Sequence, residues 1–253
     1  MSKQQVHFQD LGLIDYQAAW TYQEGLLQEN VRIKSEVRSQ HTEDRSQQSE
    51  VTTDSTGILT SEADTTHHLL FVEHPAVYTL GKSGNKENVL LGDDDLKARD
   101  IQFFQTNRGG DITFHGPQQI VGYPILDLEK FYTDIGKYLR NLEEVIILTM
   151  EEYGIIGERS SGETGVWIEP GVVGKERKIC AIGVRCSRWI TMHGFAFNIN
   201  TDLSYFNHII PCGIVDKQVT SLERELGRKL DMDEVKEKVK KNFEKVFNAE
   251  LMR

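Results

Sequence analysis

The beginning of the chain alternates apolar and polar positions and then changes to a helical period. Val6 and Phe8 alternate with polar neighbours, which predicts a short strand. Apolar residues from Tyr16 to Val31 recur at helical spacing behind Asp15, a residue type that caps helix N-termini. We therefore predict a strand followed by an amphipathic helix.

Between residues 35 and 64 this apolar pattern is lost. Ser, Thr, Gln, Glu and Asp dominate the segment, and its apolar residues are few and scattered: Val37, Val51, Ile58, Leu59 and Ala63. Such a composition cannot bury enough apolar surface to compensate the entropy of ordering. We expect residues 35–64 to be a disordered polar insertion within a single domain that spans residues 1–253.

Continuous apolar runs bounded by turn residues follow the insertion and predict buried strands. These runs lie at 68–74, 77–80, 101–104 and 119–126. A helix is predicted from about Asp134 to Tyr153, where apolar residues form one stripe that stops at Gly154.

The remainder of the pattern predicts a meander and a terminal helix. Strands are expected at 166–168, 178–186 and 190–199, separated by glycine-containing turns, and a helix is expected after the capping residue Asp231. Strands that occur in clusters, without strict alternation with helices, are typical of the α+β class. We expect a mixed, largely antiparallel β-sheet core covered by helices.

Composition and charge limit the kinds of partner. The formal net charge is −10 and the pI is near 5.3, which argues against nucleic acid or an anionic membrane as the main partner. The sequence contains no apolar run of the length of a signal peptide or a membrane span, so we expect a cytoplasmic protein. Its three cysteines lack Cys-x-x-Cys spacing and are expected to be free thiols.

One of these cysteines, Cys212, lies in a turn between an apolar run and the helical tail. Pro211 has a fixed φ and no N–H, and Gly213 is conformationally permissive, so the turn could present a nucleophilic thiol. The alternative is that Cys212 is a small buried apolar residue. A metal site with His193 and His208 is not favoured, because the spacing matches no zinc pattern.

Two other stretches could form a binding site. Residues 108–117 combine backbone N–H groups that are not covered by side chains with the cation Arg108 and the imidazole of His115, and could hold an acyl carbonyl or a carboxylate. Small residues share strand faces at 181 and 183 and at 194 and 196, which would leave a slot. The alternatives are an ordinary turn and close packing of a helix.

Lys178 opens the strand that carries two of these small residues. A free thiol is only a few per cent thiolate at neutral pH, and a nearby ammonium group would raise that fraction. Strand parity, however, places Lys178 on the face of Cys180, away from the slot, unless a bulge turns it. A surface lysine is therefore the alternative, while Cys180 and Cys186 are interpreted as core residues.

Taken together, the motifs resemble those of the lipoyl(octanoyl) transferase family, a branch of the biotin/lipoate protein ligase superfamily. The resemblance covers about residues 69–227. It rests on Val-Glu-His-Pro at 72–75, Arg-Gly-Gly-Asp-Ile-Thr-Phe-His-Gly-Pro at 108–117, Lys-Ile-Cys-Ala-Ile-Gly at 178–183, His-Gly-Phe-Ala-Phe-Asn at 193–198 and Pro-Cys-Gly at 211–213.

The resemblance implies a biotin/lipoate protein ligase-like fold and roles for these residues. Cys212 would be the acyl-thioester nucleophile and Lys178 its acid/base partner. The acyl site would be lined by Arg108, Gly109, Gly110, Asp111, Ile112, Thr113, Phe114, His115, Ala181, Ile182, Gly183, Gly194, Phe195 and Ala196.

It also implies a reaction and its partners. Octanoate would move from octanoyl-acyl carrier protein to a lysine of the lipoyl domains of 2-oxoacid dehydrogenases and the glycine cleavage H protein, the first step of protein lipoylation. No cofactor or metal is implied, and we expect a monomer.

Two alternatives stay open at this point. An ATP-dependent lipoate or biotin ligase of the same fold would activate a free acid as an adenylate and would not need the Pro-Cys-Gly thiol. A non-catalytic protein that docks acyl carriers would keep the slot without using the thiol.

A local cationic cluster is the expected docking face for an acidic carrier, because the chain as a whole is acidic. The densest cluster in the sequence consists of Lys175, Arg177, Lys178, Arg185 and Arg188.

Overall fold

The structure, a computed structural model, describes residues 3–47, 64–210 and 218–253. Its strands are β1 Gln4–Leu13, β2 His68–Glu73, β3 Val77–Leu80, β4 Gln102–Gln105, β5 Ile112–His115, β6 Gln119–Ile125, β7 Glu158–Ser160, β8 Glu163–Ile168, β9 Arg177–Ser187, β10 Ile190–Asn198, β11 Gln218–Val219 and β12 Ala249–Met252. Its α-helices are α1 Tyr16–Gln47, α2 Asp93–Ala98, α3 Ile135–Glu151, α4 Leu222–Leu226 and α5 Met232–Phe247.

The strands of the described residues form a large mixed sheet and a small one. The large sheet has the order β12-β1-β2-β6-β10-β9-β8-β7, with β11 parallel to β9, and the small sheet has the order β4-β3-β5. The central pairs β2–β6, β6–β10, β10–β9 and β9–β8 are antiparallel, whereas β1 is parallel to both β12 and β2. The predicted α+β class and the predicted meander are confirmed.

Helices cover both faces of the large sheet. The apolar stripes of α3 and α5 pack on one face with Phe71, Phe195 and Phe197, and α1 packs on the other face with Leu70 and Tyr123. A third apolar cluster joins the small sheet to α2. None of the described helices is long and apolar enough to cross a membrane.

The helix starts follow the capping residues that the sequence indicates. The Asp15 side chain accepts a hydrogen bond from the Ala18 N–H, and Asp134 and Asp231 cap α3 and α5 in the same way. Each side chain satisfies a donor that has no partner inside its helix.

The predicted boundary of the polar insertion is wrong on its N-terminal side. Helix α1 does not end near residue 34 but continues to Gln47. On its exposed surface Arg32 forms ion pairs with Glu29 and Glu36, the i, i+3 and i, i+4 spacing that supports a polar helix without a core contact. Residues 48–63, the rest of the predicted insertion, lie outside the described residues.

A buried ion pair fixes α1 to the sheet. The Lys34 ammonium, which is 8% exposed, lies 2.7 Å from an Asp127 oxygen and 2.9 Å from a Glu129 oxygen. The other Asp127 oxygen accepts a hydrogen bond from the Thr65 hydroxyl. Residues on both sides of the segment 48–63 therefore meet at Asp127.

We predict that Lys34→Ala lowers the free energy of unfolding by about 3–5 kcal/mol, because it leaves the Asp127 carboxylate buried without its cation. The matched control on the same helix is Arg32→Ala, whose exposed ion pairs should contribute less than about 1 kcal/mol. Denaturant unfolding of both variants measures the difference. Equal losses would contradict the role assigned to the buried pair.

Candidate active site

A cavity of about 420 Å³ opens beside β9 and brings together the sequence blocks that lie apart in the chain. Lys178 lines it, and so do all of the predicted substrate-binding residues except Phe114. The cavity therefore joins the loop 108–111, strand β5 and the β9–β10 pair into one site.

Small residues face each other across β9 and β10. Ala181 pairs with Ala196 and Gly183 pairs with Gly194, so four small residues form one patch on adjacent strands. All four line the cavity. The sequence predicted that Ala181 and Gly183 share one strand face and that Gly194 and Ala196 share another. The register of β9 and β10 adds that the two pairs lie side by side.

The glycines of this patch also permit close backbone approach. A Cβ atom on Gly183 would lie 2.7 Å from the Gly109 carbonyl oxygen, and one on Gly194 would overlap the carbonyl oxygen of Gly122 on β6. The Gly109 N–H donates to the Val184 carbonyl at 2.9 Å. The predicted slot is present, because the patch forms the cavity wall. The elements that approach Gly183 and Gly194 closely are a loop and a neighbouring strand, whereas the alternative drawn from the sequence was a helix.

Arg108 brings a buried cation to the cavity. One guanidinium nitrogen donates to the Thr79 carbonyl at 2.6 Å and to the Thr79 hydroxyl at 3.0 Å, and the other terminal nitrogen donates to the Gly109 carbonyl. These bonds tie the loop to strand β3. The side chain is only 7% exposed, so its charge acts in a region of low dielectric constant.

Two neutral histidines lie beside this cation. The His115 ring contacts Gln119 at 2.9 Å, and the His193 ring contacts Asn107 at 2.8 Å. Burial, reinforced by Arg108, lowers the pKa of His193 to about 3, and burial also holds the pKa of His115 well below its usual range. Both rings are therefore uncharged at neutral pH and act as hydrogen-bonding groups of the cavity.

Lys178 reaches the cavity because β9 contains a bulge. Val166 of β8 pairs with Cys180 of β9, and the next residue of β8, Trp167, pairs with Lys178. One step along β8 therefore corresponds to two steps along β9. The residues inside the bulge, Ile179 and Cys180, are both fully buried. Simple parity, which placed Lys178 away from the slot, fails because the extra residue turns the lysine to the side of Ala181.

The side chain of Lys178 is held between two residues of β8. Its Nζ lies 4.5 Å from the centre of the Trp167 ring and 3.9 Å from a Glu163 carboxylate oxygen. With 13% of the side chain exposed, the ammonium group is placed at the cavity and is largely shielded from solvent.

Phe114 does not line the cavity, contrary to our expectation. Its ring stacks on Tyr205 at 4.5 Å between centroids and lies 5.6 Å from the Tyr78 ring. Successive side chains of a strand point to opposite faces, so Phe114 packs behind the site while its neighbours Thr113 and His115 line it. Ile112, at the first position of β5, also reaches the cavity.

Cys212 lies outside the described residues. Two described residues near it in the chain, Phe206 before it and Val219 after it, line the cavity, and Val219 pairs with Lys178 in the β9–β11 ladder. The other two thiols are poor nucleophiles, because burial raises the pKa of Cys180 and of Cys186 above the ordinary value. The interpretation as a core residue is confirmed for Cys180, which is buried in the main apolar cluster, whereas Cys186 is partly exposed and lies outside the core.

Several residues of the cavity carry no sequence motif and were missed. They include Tyr16, Gln119, Val121, Tyr123, Glu163, Thr164, Ile135 and Leu139. Tyr16 and Tyr123 are buried, and burial raises the pKa of Tyr16 to about 12, so both phenols stay neutral. Helical spacing and strand runs predicted their elements but could not predict which end of each element meets the site.

The cationic cluster proposed as a docking face is largely neutralised. Arg177 pairs with Glu225 at 2.7 Å and with Glu169, and Arg185 pairs with Glu24 at 2.8 Å. Residues that are close in sequence thus contact acids from other elements, which the sequence alone could not predict. The described residues contain no group of three or more His, Cys, Asp or Glu side chains that could hold a metal ion.

The chain matches a family model and full-length relatives. The model of the lipoyl protein ligase A/B catalytic domain matches residues 49–244. The chain is 53% identical over 248 residues to an octanoyltransferase of Christiangramia forsetii, covering 98% of this chain and 97% of the relative. It is 54% identical over 245 residues to an octanoyltransferase of Flavobacterium psychrophilum, covering 96% and 97%.

Solved structures support the fold. A bi-partite lipoate protein ligase of Thermoplasma acidophilum, from a study that includes its E2 lipoyl domain, has a TM-score of 0.64 at 15% identity, covering 100% of this chain and 86% of that chain. Lipoate-protein ligase A bound with ATP also has a TM-score of 0.64, at 13% identity, covering 100% and 88%. At such identities the likeness concerns the fold alone.

The chain therefore belongs to the lipoyl protein ligase A/B catalytic domain family. Within that family its full-length relatives are octanoyltransferases, and this protein is an enzyme of that kind. The resemblance and the biotin/lipoate protein ligase-like fold inferred from the sequence are confirmed.

We predict that the protein loses stability as the pH falls from 7 to 5. The pKa values of His74 and His193 are lowered to about 4 and about 3, whereas a histidine in the unfolded chain titrates near 6.5. The unfolded state therefore binds protons first, and at pH 5 each histidine removes up to about 2 kcal/mol.

Urea unfolding across this pH range measures the effect. His74→Gln keeps a side chain that can hydrogen-bond to Tyr123 but does not titrate, so its stability should fall less steeply with pH. A wild-type stability that is constant between pH 7 and 5, or an identical slope in the variant, would contradict this account.

Proposed function

We propose that this protein moves an octanoyl group from an acyl carrier protein to a lysine of a lipoyl domain through a thioester on Cys212. Lys178 acts as the acid/base partner of that thiol. The residues of the loop 108–111, strand β5 and the β9–β10 patch hold the acyl group.

The observation that carries this proposal is the position of Lys178. A bulge that parity does not predict turns this lysine into the cavity whose wall consists of Ala181, Gly183 and their partners on β10. A cation that points away from the cavity could not assist chemistry on an acyl group there. Phe206 and Val219, the cavity residues on either side of the Cys212 segment, support the same assignment.

In the first half-reaction the Cys212 thiolate attacks the carbonyl of the carrier thioester. Backbone N–H groups near the carbonyl stabilise the tetrahedral oxyanion. The bond between the acyl carbon and the carrier sulfur then breaks, and the carrier leaves as a thiol after it takes a proton from Lys178. The octanoyl group is now bound to Cys212, and Lys178 is a neutral amine.

In the second half-reaction the amine of the acceptor lysine attacks the Cys212 thioester. Lys178 accepts the proton that this amine loses, the bond from the acyl carbon to Cys212 breaks, and the amide forms. The Cys212 thiolate and the Lys178 ammonium are regenerated, so atoms and charge balance over the cycle. No nucleotide is consumed, because the thioester is already activated.

The ligase alternative has less support. The relatives that match over nearly the whole chain are octanoyltransferases, whereas the solved lipoate ligases are 13–15% identical to it. An acyl carrier protein as donor, a monomeric state and a cytoplasmic location belong to this proposal. The lipoyl-domain acceptor is supported by the family and by the structural study of the archaeal ligase together with its E2 lipoyl domain.

We predict that Cys212→Ser abolishes the octanoyl adduct and reduces turnover at least 10³-fold, because an alcohol is a weak nucleophile without a strong base. Intact mass after mixing with octanoyl-carrier protein measures the adduct. Cys186→Ser is the matched control and should form the adduct like the wild type. An adduct that persists in Cys212→Ser would refute the assignment.

We predict that Lys178→Ala slows both half-reactions. Lys178→Arg should slow the first half-reaction less than the second. Arginine keeps a positive charge beside the thiol but cannot accept a proton from the acceptor amine. Single-turnover measurements of adduct formation and decay separate the steps. If Lys178→Arg slows formation at least as much as decay, Lys178 does not act as the base.

A further inference from the structure

A short segment after strand β3 lies behind the loop 108–111. We call residues 81–83 the clamp segment. The N–H groups of Gly81, Lys82 and Ser83 donate to the carbonyls of residues 111, 108 and 110 at 3.2, 2.9 and 3.2 Å. Three consecutive donors therefore bind three carbonyls of a single loop.

Space, and not backbone conformation, requires glycine at position 81. A Cβ atom there would overlap the Gly110 carbonyl oxygen and would lie 2.8 Å from the Gly110 carbonyl carbon and 2.9 Å from an Arg108 guanidinium nitrogen. Gly81 is not among the glycines with positive φ. Because two of these contacts are with backbone atoms, a rotamer change cannot remove the clash.

The loop is held from the opposite side as well. Gly109 donates to the Val184 carbonyl on the edge of β9, and Gly183 leaves the space for this approach. The loop is therefore fixed between the clamp segment and β9, and its position is set by two contacts that each depend on a missing side chain.

This arrangement also determines the polarity of the loop. The carbonyls of residues 108, 110 and 111 are bound by the clamp segment, and no backbone carbonyl of the described residues accepts a hydrogen bond from the Gly110 N–H. The Arg108 guanidinium lies beside this N–H, and the oxygens of the Asp111 carboxylate already accept hydrogen bonds from the Asn88 amide and the Ile112 N–H. The loop therefore combines an available donor with few available acceptors. A surface of this kind fits the oxygen of an acyl thioester, which gains negative charge during transfer.

We propose that Gly81 is a positioning residue for acyl transfer: it allows the clamp segment to fix the loop 108–111 against the edge of β9. The proposal rests on the proposed function, because it assigns the loop to the acyl group. Gly81 itself does not line the cavity and touches no substrate, so its effect passes through Gly110 and Arg108.

The expected effect is kinetic. Gly81→Ala must displace Gly110, and a misplacement of about 1 Å at a reacting centre costs on the order of 10² in rate. We expect the single-turnover rate of octanoyl-enzyme formation to fall about 100-fold at saturating octanoyl-carrier protein. Rates are normalised to the folded fraction, which is measured by circular dichroism.

Two glycine variants serve as matched controls. Gly25→Ala introduces a methyl group into α1 with no atom within 4 Å, and Gly157→Ala introduces a clash with the Met150 side chain, away from the loop. Both should acylate at the wild-type rate per folded molecule, although Gly157→Ala should lower the melting temperature.

A binding measurement separates this proposal from the proposed function. Calorimetry with an octanoyl amide analogue, which cannot acylate a thiol, should show at least 10-fold weaker binding to Gly81→Ala and unchanged binding to both controls. If the wild type forms no adduct, the proposed function fails, and this binding experiment still tests Gly81. Wild-type acylation per folded molecule together with wild-type analogue binding in Gly81→Ala would overturn the proposal.

Discussion

Close approach between backbones is the constraint on which the site depends. Gly183 leaves space for the loop 108–111, and Gly194 leaves space for β6. A methyl group at either position would meet a backbone carbonyl, which cannot move away as a side chain could. The same absence of side chains that brings these elements together leaves the cavity beside them, so the packing of the sheet and the shape of the site have one cause.

The charges of the cavity depend on this packing, because it determines which ionisable side chains are buried there. Arg108 and Lys178 bring positive charge to a cavity that the carboxylates of Asp111 and Glu163 also line, and its histidines are neutral because burial lowers the pKa of His115 and of His193. In the proposed reaction such a cavity holds the acyl chain, and its cations stabilise the negative charge that develops at the carbonyl. A free thiol gains nucleophilicity near a cation, so the bulge that turns Lys178 inward connects the fold of β9 to the proposed chemistry.

The sequence predicted the elements better than their spatial relations. Alternation, helical stripes and capping residues predicted the meander, α3 and the starts of α1 and α5, because these signals are local. The bulge at Ile179 and Cys180 could not be predicted, since it depends on the register with β8. The length of α1 was also missed, because a polar helix surface has the composition of a loop.

The site residues likewise fall into those that the sequence could predict and those that it could not. The motif residues were assigned through their resemblance to a known family, whereas Tyr16 and Tyr123 belong to no motif and have ordinary positions in a helix and a strand. Phe114 was assigned to the cavity because its whole motif was carried over, although strand alternation alone indicates that it faces away from Thr113. Arg177 pairs with Glu225, which is 48 positions away in the chain, and Arg185 pairs with Glu24, which is 161 positions away. No local sequence pattern indicates such distant pairs.

The central claim is that the protein carries the acyl group itself and needs no nucleotide. Octanoyl-enzyme prepared from octanoyl-carrier protein can be isolated by gel filtration and mixed with a lipoyl domain in the absence of ATP. We predict that the octanoyl mass leaves the enzyme and appears on the acceptor lysine. An acceptor that stays unmodified until ATP and free octanoate are added would contradict the account.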